Sequence, residues 1–170
     1  MTYGIALFPS KSLREEANSY RKRFDSQYAN IPPHIKLTDP FELEDEEVDA
    51  FITSLTELAQ TQAKVVIEVY KADTFIPLNN KIFLKIREHQ TLFSLHQRLH
   101  EPPFSSVMTH AFVPHITIAQ DLPKAESDDL IGQLKLSGFA HKETISSFEL
   151  LKQQEDGKWS IVQSFELKGD

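Results

Sequence analysis

The chain has 170 residues, 40% of them hydrophobic and 25% charged, a mix that suits one domain or two small lobes and excludes wholesale disorder. A formal net charge of −7 argues against coating long nucleic acid through bulk positive charge, though not against a local phosphate pocket. With no cysteine, disulfides, zinc–thiolate sites, cysteine-ligated clusters and a cysteine nucleophile are all excluded.

In chain order, Tyr3 to Phe8 is a short apolar run stopped by Pro9, which predicts a buried strand. Ser10 is a candidate cap for a helix running to about Tyr28, with Leu13, Ala17, Tyr20 and Phe24 on its apolar face and Arg14, Arg21, Lys22 and Arg23 on the other. Pro32-Pro33 forces extended backbone, and His34 to Thr38 alternates polar and apolar as a strand does. An acidic helix is expected from about Glu44 to Gln60, with Val48, Phe51, Ile52, Leu55, Leu58 and Ala59 as its buried stripe. Lys64 to Tyr70 and Lys81 to Ile86 read as two strands joined as a hairpin through Pro77 and Asn79-Asn80. A helix over Glu88 to Leu99 is followed by a loop from Glu101 to about His110, then by an extended run from Phe112 to Ala119. Asp121 to Lys135 reads as a helix, and Glu143 to Gln153 and Trp159 to Lys168 as strands flanking the turn signal Asp156-Gly157. The order is α+β or mixed α/β, with hairpins that favour antiparallel pairing and no linker to divide the chain. No apolar run reaches the ~18 residues of a membrane span, and the first residues lack a signal-peptide pattern, so a soluble cytoplasmic protein is expected.

One internal echo stands out. Residues 31–37 read Ile-Pro-Pro-His-Ile-Lys-Leu and residues 112–118 read Phe-Val-Pro-His-Ile-Thr-Ile, about half a chain apart. On extended strands His34, Lys36 and Thr38 share one face, as do His115 and Thr117, with the aliphatic residues opposite. Facing each other across a cleft, two imidazoles can divide acid and base duties at one phosphorus, with hydroxyls and an ammonium as donors to the phosphoryl oxygens. The plain alternative is two unrelated strand histidines satisfied by backbone groups.

These paired segments, together with Tyr3-Gly-Ile-Ala-Leu-Phe-Pro-Ser-Lys, Ser19-Tyr-Arg-Lys-Arg-Phe-Asp and Gly132-Gln-Leu-Lys, resemble the 2H phosphoesterase superfamily and, within it, the bacterial YjcG-like subgroup. The resemblance covers essentially the whole chain, 1–170, as a single domain. It implies an α+β, bilobal LigT-like fold: two pseudo-symmetric lobes, antiparallel sheets lining a central groove, and helices packed outside. It implies His34 as proton donor, His115 as proton acceptor and Thr117 as a phosphate-binding hydroxyl. The first segment departs from the family pattern, with Lys36 where Thr or Ser is usual. Lys36 reads equally as a phosphate ligand and as a solvated lysine; Thr38 is a weaker substitute hydroxyl, since strands favour threonine anyway.

The implied activity is hydrolysis of a cyclic or 2′–5′ phosphodiester in a nucleotide or RNA end, with no metal and no cofactor. The alternatives are a non-catalytic binder of the same ligands and a 2′–5′ RNA ligase. A small phosphoester partner, no long nucleic acid, no membrane and a monomer are expected. Among other features, His96 and His100 have a metal-pair spacing, with His89 and His110 near in sequence, but no carboxylate sits at a fitting offset. His141 reads as a surface residue. Arg21 to Arg23 form a basic turn read as a solvated face before a phosphate contact, and Phe75 and Phe112 read as core before base-stacking platforms.

Overall fold

The computed structural model describes residues 1–104 and 110–170. The elements are β1 (Thr2–Leu7), α1 (Lys11–Phe24), β2 (Ile35–Lys36), β3 (Phe41–Glu42), a 3-10 turn (Asp45–Glu47) leading into α2 (Val48–Thr61), β4 (Val65–Thr74), β5 (Ile82–Ile86), α3 (Gln90–Arg98), β6 (His115–Ala119), α4 (Lys124–Lys135), β7 (His141–Ile145), β8 (Ser147–Gln153) and β9 (Trp159–Glu166). The loop expected over Glu101 to His110 falls partly on residues 105–109, outside the described residues.

Two antiparallel sheets result. The first runs β2-β1-β8-β9, with β3 also paired to β1; the second runs β6-β5-β4-β7. The continuous apolar run of β1 is buried from Tyr3 to Leu7, as befits a strand flanked on both sides. β4 and β5 form the expected hairpin, with a register shift between Val69 and Lys71. α1 packs against β6, α3 and α4 against β4, and α2 against β9. A single buried cluster draws on both sheets, from Ile5, Leu7 and Phe148 to Ile67, Leu84 and Ile116.

Several boundaries differ from the sequence reading for identifiable reasons. α1 stops at Phe24 because Asp25 leaves the helix in an extended conformation, its carboxylate accepting from Gln27 N–H at 2.8 Å. Ser10 does not cap α1 through its side chain; its Oγ and N–H both donate to Glu143 instead. The run 143–153 is two strands in two sheets. Ile145 and Phe148 are both buried although three residues apart, so the alternation slips phase at Ser146, where the chain crosses between sheets. α4 begins only after Pro123, with Asp121 at a φ of 62° ahead of it. Arg21 is not on a solvated face: it is 2% exposed and continues the buried i, i+4 series from Leu13 and Ala17.

Among the described residues no helix is long and apolar enough to cross a membrane.

Candidate active site

Both histidine segments are edge strands, β2 of the first sheet and β6 of the second, and they lie in contact. Proline sets the approach to each. Pro33 and Pro114 lack an N–H and hold the preceding residue extended, which leaves that residue's carbonyl for the histidine ring two positions on. His34 Nδ1 lies 2.9 Å from Pro32 O, and His115 Nδ1 lies 2.6 Å from Val113 O. A carbonyl oxygen only accepts, so each neutral ring carries its hydrogen on Nδ1 and keeps Nε2 as a free acceptor.

The two rings line one cavity of about 350 Å³, together with Lys36 and Thr38 from the first segment and Thr117 from the second. All five residues singled out in the sequence therefore meet at one place. Burial pushes His34 down from 6.5 to about 4, against the Pro32 carbonyl and with the help of the Arg21 and Lys36 charges. Burial likewise pushes His115 down to about 4, against the Val113 carbonyl and with Lys36, Lys81 and His34 adding to the effect. Both are neutral near pH 7, ready to accept a proton; donating one requires that an anionic ligand first favour the imidazolium.

The surroundings of the two rings differ. His115 sits edge-on to Phe75 and tilted against Phe83, at centroid distances of 5.1 and 4.9 Å. Among the described residues His34 has only the Phe8 ring, at 6.4 Å. Lys36 Nζ donates to Asp39 Oδ1 at 2.8 Å; that bond holds the Asp39 carboxyl below its usual range. Thr38 is buried and its Oγ1 accepts from Ile5 N–H at 3.1 Å.

The remaining histidines have other duties. His96 stacks flat on Phe112 at 3.8 Å, and His100 Nδ1 bonds the His96 carbonyl at 2.7 Å. His89 caps α3 by accepting from Thr91 N–H, His110 lies 3.7 Å from Asp39, and His141 bonds Glu143 at 2.6 Å. Phe112 is thus a packing residue, whereas Phe75 walls the His115 ring.

Comparison with known proteins agrees with this geometry. A model of the 2′-5′ RNA ligase superfamily matches residues 9–157. The chain belongs to that superfamily. It is the family of 2H phosphoesterases that the paired histidine segments resemble. Superfamily relatives include a Shouchella clausii protein, 47% identical over the full length of both chains, and a Halalkalibacterium halodurans protein, 44% identical over 98% of both. Each bears the name "Putative phosphoesterase". The fold is also that of the Thermus thermophilus protein TT0787, with a TM-score of 0.70 at 16% identity over all of both chains. E. coli LigT complexed with 3′-AMP gives a TM-score of 0.67 at 18% identity over 97% of both.

In this superfamily member the same cavity is also lined by Arg21, which the sequence offered as a solvated residue before a phosphate contact, and by residues that sequence reasoning passed over: Asp25, Lys81, Gln120 and Trp159. Arg21 Nε donates to Asp25 Oδ2 at 3.0 Å, with both side chains 2% exposed. Arg21 also donates to Asn18 Oδ1 and to the Ile31 carbonyl at 2.6 Å. Gln120 Nε2 donates to Asp25 Oδ1 at 2.8 Å, and Gln120 N–H to Phe24 O. The end of α1 is thereby tied at once to the loop before His34 and to the strand after His115. The signal for Arg21 and Asp25 was present as an i, i+4 pair of opposite charge on the Leu13–Ala17 stripe. Lys81 and Trp159 had no local signal.

Proposed function

We propose that the protein is a phosphoesterase that hydrolyses a cyclic or 2′–5′ phosphodiester of a nucleotide or RNA end by two-histidine acid–base catalysis without a metal. The observation that carries this reading is the matched pair of imidazoles, each held at Nδ1 by its own i−2 carbonyl and both lining one cavity. Membership of the 2H superfamily supports it, as do relatives named for phosphoester chemistry and a fold shared with a protein crystallised with 3′-AMP.

In the proposed reaction His115 Nε2 takes a proton from water as the water oxygen bonds to phosphorus. His34, protonated when the anionic ester occupies the cavity, gives its Nε2 proton to the leaving oxygen as the old P–O bond breaks. Exchange with solvent then resets both rings. The assignment of donor and acceptor follows the family pattern. Thr117 O–H and the Lys36 and Lys81 ammonium groups stabilise charge on the non-bridging oxygens. Lys36 must leave Asp39 or bring it along to do so.

That last point favours a second reading, in which the same cavity binds a phosphorylated ligand without turning it over: the ammonium in place of a motif hydroxyl is already ion-paired. Ligation by the same histidines would set the 5′-hydroxyl of a second RNA in the place of water, its oxygen bonding to the cyclic phosphorus as one ring P–O bond breaks. One experiment separates these. Purified protein with EDTA is incubated with 2′,3′-cyclic nucleotides, 2′,3′-cyclic-ended oligonucleotides, 2′–5′-linked dinucleotides and paired RNA halves. Cleavage lost in both His34→Ala and His115→Ala supports hydrolysis. Joining of the halves supports ligation. Ligand-induced thermal protection without product supports the binder and defeats the enzyme.

A further inference from the structure

Helix α1 lies between β1 and β2 of the first sheet in sequence, yet it packs on β6 of the second. It is thus shared by the two histidine segments. Arg21 from its last turn, Asp25 at its end and Gln120 after β6 all line the catalytic cavity. Their bonds cross from one segment to the other without a gap. Arg21 donates to Ile31 O, three residues ahead of His34, and to Asp25 Oδ2. Asp25 Oδ1 accepts from Gln120 Nε2 at 2.8 Å, and Gln120 N–H donates to Phe24 O at 3.1 Å. Gln120 directly follows β6, the strand that His115 opens.

The guanidinium of Arg21 is committed to the chain: its donors reach Asn18, Asp25 and Ile31, and Gln27 O lies at 3.5 Å. Asp25 likewise spends both oxygens, on Arg21, Gln120 and Gln27 N–H. Among the described residues the network leaves no buried side-chain nitrogen or oxygen unpaired. A buried ion pair is a poor source of stability, since two apolar side chains of like volume often do as well. A fully bonded network does fix geometry, because few arrangements satisfy every donor and acceptor. Two rings that share one reaction need that: a misplacement of about 1 Å can cost on the order of a hundredfold in rate. The lock from each Nδ1 to its own i−2 carbonyl orients a ring within its segment, but it does not set one segment against the other.

We propose that Arg21, Asp25 and Gln120 are positioning residues of the two-histidine site: they hold the His34 segment in register with the His115 segment, and so act through the two rings rather than on the phosphate. The kinetic consequences rest on the phosphoester reading of the cavity. A second tie supplies the control. At the other end of α1, Ser10 N–H and Oγ both donate to Glu143 of β7, which does not line the cavity.

The test compares variants of the full chain by thermal melts and by kcat and KM on one 2′,3′-cyclic nucleotide. Gln120→Met cuts the link between the segments and leaves the Arg21–Asp25 pair whole. It is expected to lower kcat about ten- to a hundredfold, with KM within about threefold of wild type. Substituting Arg21→Met and Asp25→Leu together removes both charges, so neither is stranded, and should do the same. Glu143→Ala is expected to lower the melting temperature by at least as much as Gln120→Met and to leave kcat unchanged. In a His115→Ala background Gln120→Met should cost no more than about threefold in kcat, because no pair of rings remains to be aligned. Long-range proton–nitrogen spectra of the histidine rings should show hydrogen on Nδ1 of both in Gln120→Met, as in the wild type. A kcat unchanged by Gln120→Met, a kcat that follows the melting temperature through Glu143→Ala as well, or losses that multiply in the His115→Ala background would overturn the proposal. So would loss of the Nδ1 hydrogen from either ring, which would put the effect in a lock rather than between the segments. A wild type that turns over no phosphoester removes the phosphoesterase reading and this proposal with it; turnover by the wild type with Gln120→Met unimpaired removes the proposal alone.

Discussion

At the first histidine segment the strand is two residues long, the ring has one aromatic neighbour among the described residues, and the next groove-facing side chain is a lysine tied to Asp39. At the second the strand is five residues long, the ring is walled by Phe75 and Phe83, and the corresponding side chain is Thr117. What the two share is the bond from Nδ1 to the carbonyl two residues back, across a proline. That lock is local. It needs only the X-Pro-His order and survives in a short, open strand as well as in a long, packed one. The parts proposed to grip phosphate are not local, and they differ: an exposed, ion-paired ammonium on one side, a half-buried hydroxyl on the other.

The largest test of this comparison removes either ring. His34→Ala and His115→Ala should each lower kcat by about 10²–10⁴-fold, the range for a lost acid–base group. They should differ in stability, with His115→Ala the costlier because it opens a gap beside Phe75 and Phe83; thermal melts read this. Equal melts would mean that the aromatic wall adds nothing to the second segment.

Next is the tie between the segments. Asp25→Ala leaves Arg21 buried without its partner, and chemical denaturation should show a loss of about 3–5 kcal/mol. A loss under about 1 kcal/mol would show that this ion pair does not join the halves.

The residues proposed to grip phosphate come third. Lys36→Ala should leave stability within about 1 kcal/mol, as for other exposed ion pairs. It should lower kcat/KM about tenfold and flatten its salt dependence. Thr117→Val should lower kcat/KM by a similar factor with the salt dependence intact, and Lys36→Thr, which makes the segments alike, should lose less than Lys36→Ala. An unchanged kcat/KM in Lys36→Ala would reduce that lysine to a solvated surface charge.

The smallest and broadest effect is on pH. His34, His115 and His96 are each pushed down from 6.5 to about 4 in the folded protein. The unfolded chain then binds more protons between those values, so the stability these groups contribute is full above pH 6.5 and falls as the pH drops toward 4. Activity should move the opposite way. The productive free enzyme needs one ring charged and one neutral, a form that grows as the pH falls toward 4, so kcat/KM should rise between pH 8 and 5 while the melting temperature declines. A kcat/KM that peaks above pH 7 would contradict the assignment of these rings.

Much of the fold was legible because its signals are local. Periodicity and apolar runs marked the long strands and helices, and the repeated Pro-His segment marked residues that meet in one cavity. The parts that were not legible depend on tertiary context. The run 143–153 passes between sheets at Ser146, which only the phase of burial at Ile145 and Phe148 betrays. Arg21 looked solvated because its neighbours Lys22 and Arg23 are exposed, while burial depends on Asp25 and on Gln120, which lies far away in sequence. Lys81 and Trp159 reach the cavity through hairpin geometry that no local pattern encodes.

The central claim is that the two segments act as one catalytic unit, and a double-mutant comparison addresses it most directly. The kcat/KM of His34→Ala, His115→Ala and the doubly substituted protein would be measured on one 2′,3′-cyclic nucleotide, each protein first shown to be folded. If the rings share one reaction, the double substitution will be no slower than the worse single one, within about threefold. Losses that multiply, or a single variant that keeps near-full activity, would show that the two histidines do not work as a pair.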